Sequence, residues 1–96
     1  MSESEDILRR LRALKPALAA RNITRLRVFG SVAHGTAGPE SDVDLIADFG
    51  KVPDLFSFVG IKLDMEEMLG RRVDLFTENS IDKYIRRKVI QEAVDV

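Results

Sequence analysis

The residues able to do chemistry are Asp42 and Asp44, with Gly30 and Ser31 upstream and Asp74 downstream. Residues two apart on a strand project from one face with backbones about 6.5 to 7 Å apart, so both aspartates can converge on one cation or a pair of cations. Two carboxylates held together on a half-buried strand repel each other unless a cation neutralises them. From Val28 to Gly50 the charged residues are Glu40, Asp42, Asp44 and Asp48, with no Lys or Arg among them. A divalent metal is the natural counter-ion, and oxygen-only ligation favours magnesium or manganese. Gly30 and Ser31 stand where a strand turns into a short helix, exposing backbone N–H groups and a hydroxyl that suit a phosphate. A phosphate cradle beside a metal-binding carboxylate pair is the equipment for chemistry on a metal-bound nucleoside triphosphate. Asp74, an isolated acid between Val73 and Leu75, is the candidate third ligand and proton acceptor.

These side chains need elements to hold them. Ile7, Leu8, Leu11, Leu14 and Leu18 recur at three- and four-residue spacing and predict a helix from Ser4 to about Ala20, kinked or restarted near Lys15 by Pro16. Thr24 to Phe29 alternates Leu26 and Val28 against Arg25 and Arg27, a strand with one wet face. Three glycines and a proline between Gly30 and Ser41 read as a loop holding one helical turn. Asp42 to Phe49 is a second strand, with Val43, Leu45 and Ala47 on one face and Asp42, Asp44, Ile46 and Asp48 on the other. A helix from Asp54 to Leu69 is expected to turn Leu55, Phe58, Val59, Ile61, Lys62, Met65, Met68 and Leu69 inward and to stop at Gly70. Arg71 to Thr77 is a third strand. A last helix, capped by Asn79 or Ser80, runs to about Val94 with Ile81, Tyr84, Ile85, Lys88, Val89 and Glu92 along or beside one face. The expected class is α/β (α+β): a small mixed sheet of about three main strands packed by helices.

Composition narrows the possibilities. Ninety-six residues, 45% of them hydrophobic, supply one core and too little for two, so residues 1–96 are expected to form a single domain. With 15 basic against 16 acidic residues there is no large field of one sign, and no direct nucleic-acid partner is expected. The absence of cysteine excludes disulfides and zinc-thiolate sites, and one histidine cannot build a multi-histidine site. An acidic start and the lack of an apolar run near ~20 residues point to a soluble, cytoplasmic chain with no membrane partner.

Gly30, Ser31, Gly35, Ser41, Asp42, Asp44 and Leu45, read as Gly-Ser-x-x-x-Gly-x-x-x-x-x-Ser-Asp-x-Asp-Leu, resemble the nucleotidyltransferase motif of the DNA polymerase beta superfamily. Within it the chain resembles the minimal nucleotidyltransferases, small domains that are often the antitoxin partner of a HEPN-domain toxin. The resemblance takes in Arg72-Val73-Asp74-Leu75 and the ending from Tyr84 to Val94. It implies a polymerase beta-like nucleotidyltransferase fold in which Asp42 and Asp44 bind magnesium, Asp74 completes the acidic triad, and Gly30 and Ser31 hold the triphosphate. It further implies ATP as donor, AMP as the group moved, a tyrosine hydroxyl on a HEPN toxin as acceptor, and a hetero-oligomer with that toxin. His34 departs from relatives that carry arginine or lysine there.

Other readings are weaker. A calcium loop needs a ligand at Ile46 and glycine at Ala47, and neither is present. A haloacid-dehalogenase-type phosphatase wants an apolar strand before its first aspartate, where Gly38-Pro39-Glu40-Ser41 stands, and an Asp-x-Asp glycosyltransferase needs a far longer chain. A non-catalytic antitoxin that neutralises by binding is the alternative, and an aminoglycoside-type transferase ranks last because no second domain forms its pocket. Glu40 and Asp48 read as loop and strand-end acids, and His34 as a loop residue without catalytic duty. Lys83, Arg86, Arg87 and Lys88 read as a solvated helix face, and Phe56, Phe58 and Phe76 as core or interface aromatics.

Overall fold

A computed structural model describes residues 2–96. Its elements are α1 (Glu3–Ala19), β1 (Ile23–Phe29), α2 (Ser31–His34), β2 (Val43–Phe49), α3 (Leu55–Leu69), β3 (Val73–Phe76), a 3₁₀ turn (Glu78–Ser80), α4 (Lys83–Glu92) and β4 (Val94–Asp95). The helix starts follow side-chain capping. Ser2 Oγ accepts from the Glu5 N–H at 3.1 Å, Asp54 Oδ1 from Ser57 at 2.7 Å and Asp82 Oδ1 from Tyr84 at 2.8 Å. Pro16 does not restart α1, which stays one helix through its final turn. A proline there removes a single N–H, and Ile7, Leu11 and Leu18 remain buried on one stripe.

The four strands lie in the order β3-β2-β1-β4. β1 is antiparallel to β2 and β4, while β2 and β3 run parallel, joined across the sheet by α3. One sheet face, carrying Leu26, Val28, Val43, Leu45, Ala47, Val73 and Leu75, packs against Ile7, Leu11 and Leu18 of α1 and Ile61, Met65 and Leu69 of α3. The resulting fold is a four-stranded mixed sheet packed by helices, in the class expected, with one strand more than predicted. That strand, β4, occupies the predicted C-terminal end of the last helix: Val94 pairs with Val28 and Asp95 with Arg27. The Val96 N–H continues the pairing onto the Leu26 carbonyl at 3.0 Å. The last helix is also capped later than predicted, by Asp82, because residues 78–80 form the 3₁₀ turn.

The second sheet face is wet only in part, at Arg25 and Asp74. Ile46 is wholly buried, the tilted rings of Phe29 and Phe76 pack with centroids 5.7 Å apart, and Arg27, expected in solvent, is 3% exposed. Arg27 Nη2 donates to Asp48 Oδ1 at 3.2 Å and to Glu78 Oε1 at 2.6 Å, so this buried cation joins β1, the end of β2 and the 3₁₀ turn. Alternation placed Arg27 on the correct face, but the 3₁₀ turn and α4 cover that face. Arg27→Ala is expected to lower stability by about 2 kcal/mol through lost packing and two stranded acids, seen as a drop of about 10 °C in thermal melting. A melting temperature equal to the wild type would show the clamp to be idle.

α3 also differs from expectation. Of the residues predicted inward, Ile61, Met65 and Leu69 are buried, but Leu55, Val59 and Met68 are exposed, and beside them Phe56 is 93% exposed. The helix is apolar on two sides, and residue types alone do not say which side meets the sheet. On α4 no residue is buried, and Tyr84 and Ile85 lie in the open. No helix among the described residues is long and apolar enough to cross a membrane.

Candidate active site

Three strand ends meet at Asp44. In the ladder Asp44 lies between Phe29 on β1 and Asp74 on β3, so parallel register sets the two aspartates side by side. Asp42 precedes β2 and is exposed, as is Asp74, whereas Asp44 is half-buried. The Asp44 carboxyl is pushed up from its ordinary 3.8 to about 6. Burial is the largest cause, followed by the charge of Asp74, a hydrogen bond to Asp74 from the protonated form, and the charge of Asp42. Among the described residues none of the three carboxylates is engaged in an ion pair.

Gly30 completes the wall of this site. It turns the chain out of β1 with φ +69° and ψ −145°, a conformation open to glycine and costly for other residues. A Cβ at that position would collide with Asp44 Oδ2. Ser31 follows as the first residue of α2, whose leading N–H groups have no acceptor within the helix. The Ser31 carbonyl is occupied by the Thr36 N–H at 2.9 Å, which folds the loop back on itself.

The sequence-predicted residues are therefore brought together unevenly. Asp44 and Asp74 converge, Gly30 lies against Asp44, and Ser31 adjoins Gly30. Asp42 stands outside the ladder, and among the described residues no three acidic or imidazole side chains are close enough to enclose one ion as placed. The donor set still suits a hard divalent cation: it is oxygen-only, uncompensated by any ion-paired cation, and crowded enough to hold a proton on Asp44 well above the usual carboxylate range. Phosphate would find its donors at the Gly30-Ser31 turn.

His34, Arg86 and Asp48 are occupied elsewhere. His34 Nε2 sits 3.3 Å from Glu92 Oε2 on α4. Arg86 Nη2 donates to the Asn79 and Ile81 carbonyls at 3.2 and 2.9 Å, bracing the 3₁₀ turn. Asp48 belongs to the Arg27 clamp. Arg71 was passed over by sequence reasoning, yet its guanidinium reaches the turn just before Asp42. Its position one residue after the Gly70 helix stop is the only signal it gives. A cavity of about 250 Å³ lined by Ser41, Asp42, Arg71 and Arg72 opens beside Asp42, without reaching Asp44 or Asp74. A larger one of about 340 Å³, lined by Arg21, Lys51, Asp54 and Ser57, lies at the opposite end of β2 and holds none of the three acids.

Comparison with known proteins agrees with this fold. The profile of the nucleotidyltransferase domain matches residues 5–96. The protein adenylyltransferase MntA of Thermococcus cleftensis is 38% identical over 93 residues, spanning 96% of this chain and 94% of that protein. A Methanocaldococcus jannaschii protein, named provisionally as a protein adenylyltransferase, is 36% identical over 85 residues, covering 88% of this chain and 91% of its own. Among solved structures, one described provisionally as a minimal nucleotidyltransferase superposes with a TM-score of 0.83 at 35% identity, over 100% of this chain and 97% of that one. A toxin–antitoxin crystal structure with AMP-PNP shares the fold at a TM-score of 0.67 and 20% identity, over 97% of this chain and 71% of that one. With the profile matching residues 5–96 and relatives 36 and 38% identical over most of both chains, this chain belongs to the nucleotidyltransferase domain family.

Proposed function

We propose that this protein, as a single catalytic domain over residues 1–96, transfers AMP from ATP to a tyrosine hydroxyl of a cognate HEPN toxin and so acts as its antitoxin in the cytoplasm. The observation that carries the catalytic part is the crowding of Asp44 by Asp74 and Asp42 against Gly30, which leaves a half-buried carboxylate with no ion-paired cation beside it. The adenylyltransferase names of the relatives support AMP as the group moved, and the toxin–antitoxin neighbours support a protein partner.

In this reading Asp42, Asp44 and Asp74 hold magnesium, or manganese in its place, which when bound neutralises charge on the triphosphate and on the attacking oxygen. Gly30 and Ser31 hold the phosphate chain through backbone N–H groups and the Ser31 hydroxyl. The acceptor oxygen forms a bond to the α-phosphorus as the bond from that phosphorus to the bridging oxygen breaks, and pyrophosphate leaves. Asp74, exposed at the sheet edge, takes the acceptor proton. Most of the rate comes from alignment and charge stabilisation at the α-phosphate.

Purified protein with magnesium, ATP and the partner is expected to add the mass of one AMP to the partner, and Asp44→Ala to abolish that addition. Full modification by Asp44→Ala would sink the mechanism. The exposed apolar side of α3, with Leu55 and Phe56 at 76% and 93% exposure, favours a second reading in which binding alone neutralises the toxin. Unchanged neutralisation by the Asp42→Ala, Asp44→Ala double variant, with no modification by the wild type, would select it.

A further inference from the structure

We infer that Arg71 is a positioning residue for Asp42, and through it for the metal-bound nucleotide; the inference rests on the carboxylate reading proposed above. Asp42 is the one acid of the three outside the sheet ladder, so strand pairing does not by itself fix its backbone. Two consecutive residues from the far side of α3 do so instead. Arg71 Nη1 donates to the Ser41 carbonyl at 3.1 Å, immediately before Asp42, and the Arg72 carbonyl accepts from the Val43 N–H at 2.9 Å, immediately after it. The same Nη1 also donates to the Gly38 carbonyl at 2.8 Å, and Ser41 Oγ accepts from the Gly38 N–H at 2.8 Å, which closes residues 38–41 into a tight turn.

The guanidinium is itself oriented. Arg71 Nη2 is bonded to the Glu3 carboxylate at the start of α1, and the side chain is only 12% exposed. Buried Ser4 adds a second tie from α1, its hydroxyl accepting from the Ala37 N–H at 3.2 Å. A planar fork reaches two carbonyls with one nitrogen and a carboxylate with the other, a fixed span that the single nitrogen of an ammonium lacks. Arg71 thus carries no ligand atom; it sets where the Asp42 carboxylate starts from when a cation arrives. Outer residues that orient a metal ligand commonly change metal affinity by roughly 10- to 100-fold.

The test reads binding without turnover: manganese affinity of the full chain in the presence of a non-hydrolysable ATP analogue, followed by electron paramagnetic resonance. Arg71→Gln is expected to weaken manganese binding about 10-fold while circular dichroism stays native. Arg71→Lys recovers part of the loss, because it keeps the charge and one carbonyl contact. Arg72→Gln removes an equal charge yet keeps the backbone carbonyl on Val43, and its affinity should stay within about twofold of wild type. Unchanged affinity in folded Arg71→Gln overturns the inference, as does an equal loss in Arg72→Gln. Should Arg71→Gln not fold, Glu3→Gln, which frees one arm of the guanidinium, must weaken binding for the inference to stand. Wild-type protein that binds no manganese, or Asp44→Asn that binds it as tightly as wild type, brings down the carboxylate reading and this inference together. Loss in Asp44→Asn with full affinity in Arg71→Gln brings down only this one.

Discussion

Gly30→Ala should cost nucleotidyl transfer at least about 100-fold, the scale on which a misplacement near 1 Å damages an aligned site. Two effects add. The backbone at φ +69° and ψ −145° is strained for alanine, by about 1 to 3 kcal/mol. The new methyl would also occupy the place of Asp44 Oδ2, so the carboxylate must swing away from Asp74 or the turn must open. Gly35 supplies the control: it has φ +75°, but an added Cβ meets nothing within 4 Å. Gly35→Ala should therefore lower the melting temperature through its left-handed backbone alone, by less than Gly30→Ala does, with a far smaller loss in transfer rate. Transfer by Gly30→Ala at the wild-type rate would mean that Asp44 does not need the place it occupies against that glycine.

Asp44→Asn should give a protein that is inactive and more stable than the wild type at neutral pH. The folded-state value of about 6 lies above the ordinary 3.8, so between these values the native protein holds more protons than the unfolded chain. Stability from this group is then fully present below about 3.8 and is lost as pH rises through about 6. Asparagine keeps the shape without the charge and removes that slope. Discounted for the exposed part of the side chain, the gain is about 1 kcal/mol, or about 5 °C in melting temperature at pH 7.5. At pH 4 the two proteins should melt together. Equal melting at both pH values would show that the native site does not crowd Asp44. Transfer activity, which needs the charged ligand, should fall below detection at every pH.

Much of this arrangement was legible because it rests on local rules. Asp54 and Gly70 bracket α3 as cap and stop, and the Gly30-Ser31 turn followed by Asp42 and Asp44 announced both strand ends that meet at the site. What was not legible depends on tertiary cover. Two residues of β4 carry no periodicity, so Val94 read as the end of a helix and Asp95 as part of no element until β1 is there to pair with them. Arg27 read as wet because alternation reports faces and says nothing of whether a 3₁₀ turn lies over one. α3 offers two apolar sides, and only the sheet decides between Met65 and Leu55. Arg71 gave no pattern at all, since its partners are carbonyls at Gly38 and Ser41, some thirty residues away in sequence.

The parallel register of β2 and β3 has a consequence for how the site behaves between turnovers. The separation of the Asp44 and Asp74 backbones is set by the spacing of neighbouring strands, close to 4.8 Å, and held by backbone hydrogen bonds. Side-chain rotamers adjust the two carboxylates only around that fixed spacing. The work of pressing two like charges together is done once, when the sheet forms, and it is not undone when products depart. A cation bound there, as proposed above, would meet a spring already compressed, with Asp42 as the single arm left to close.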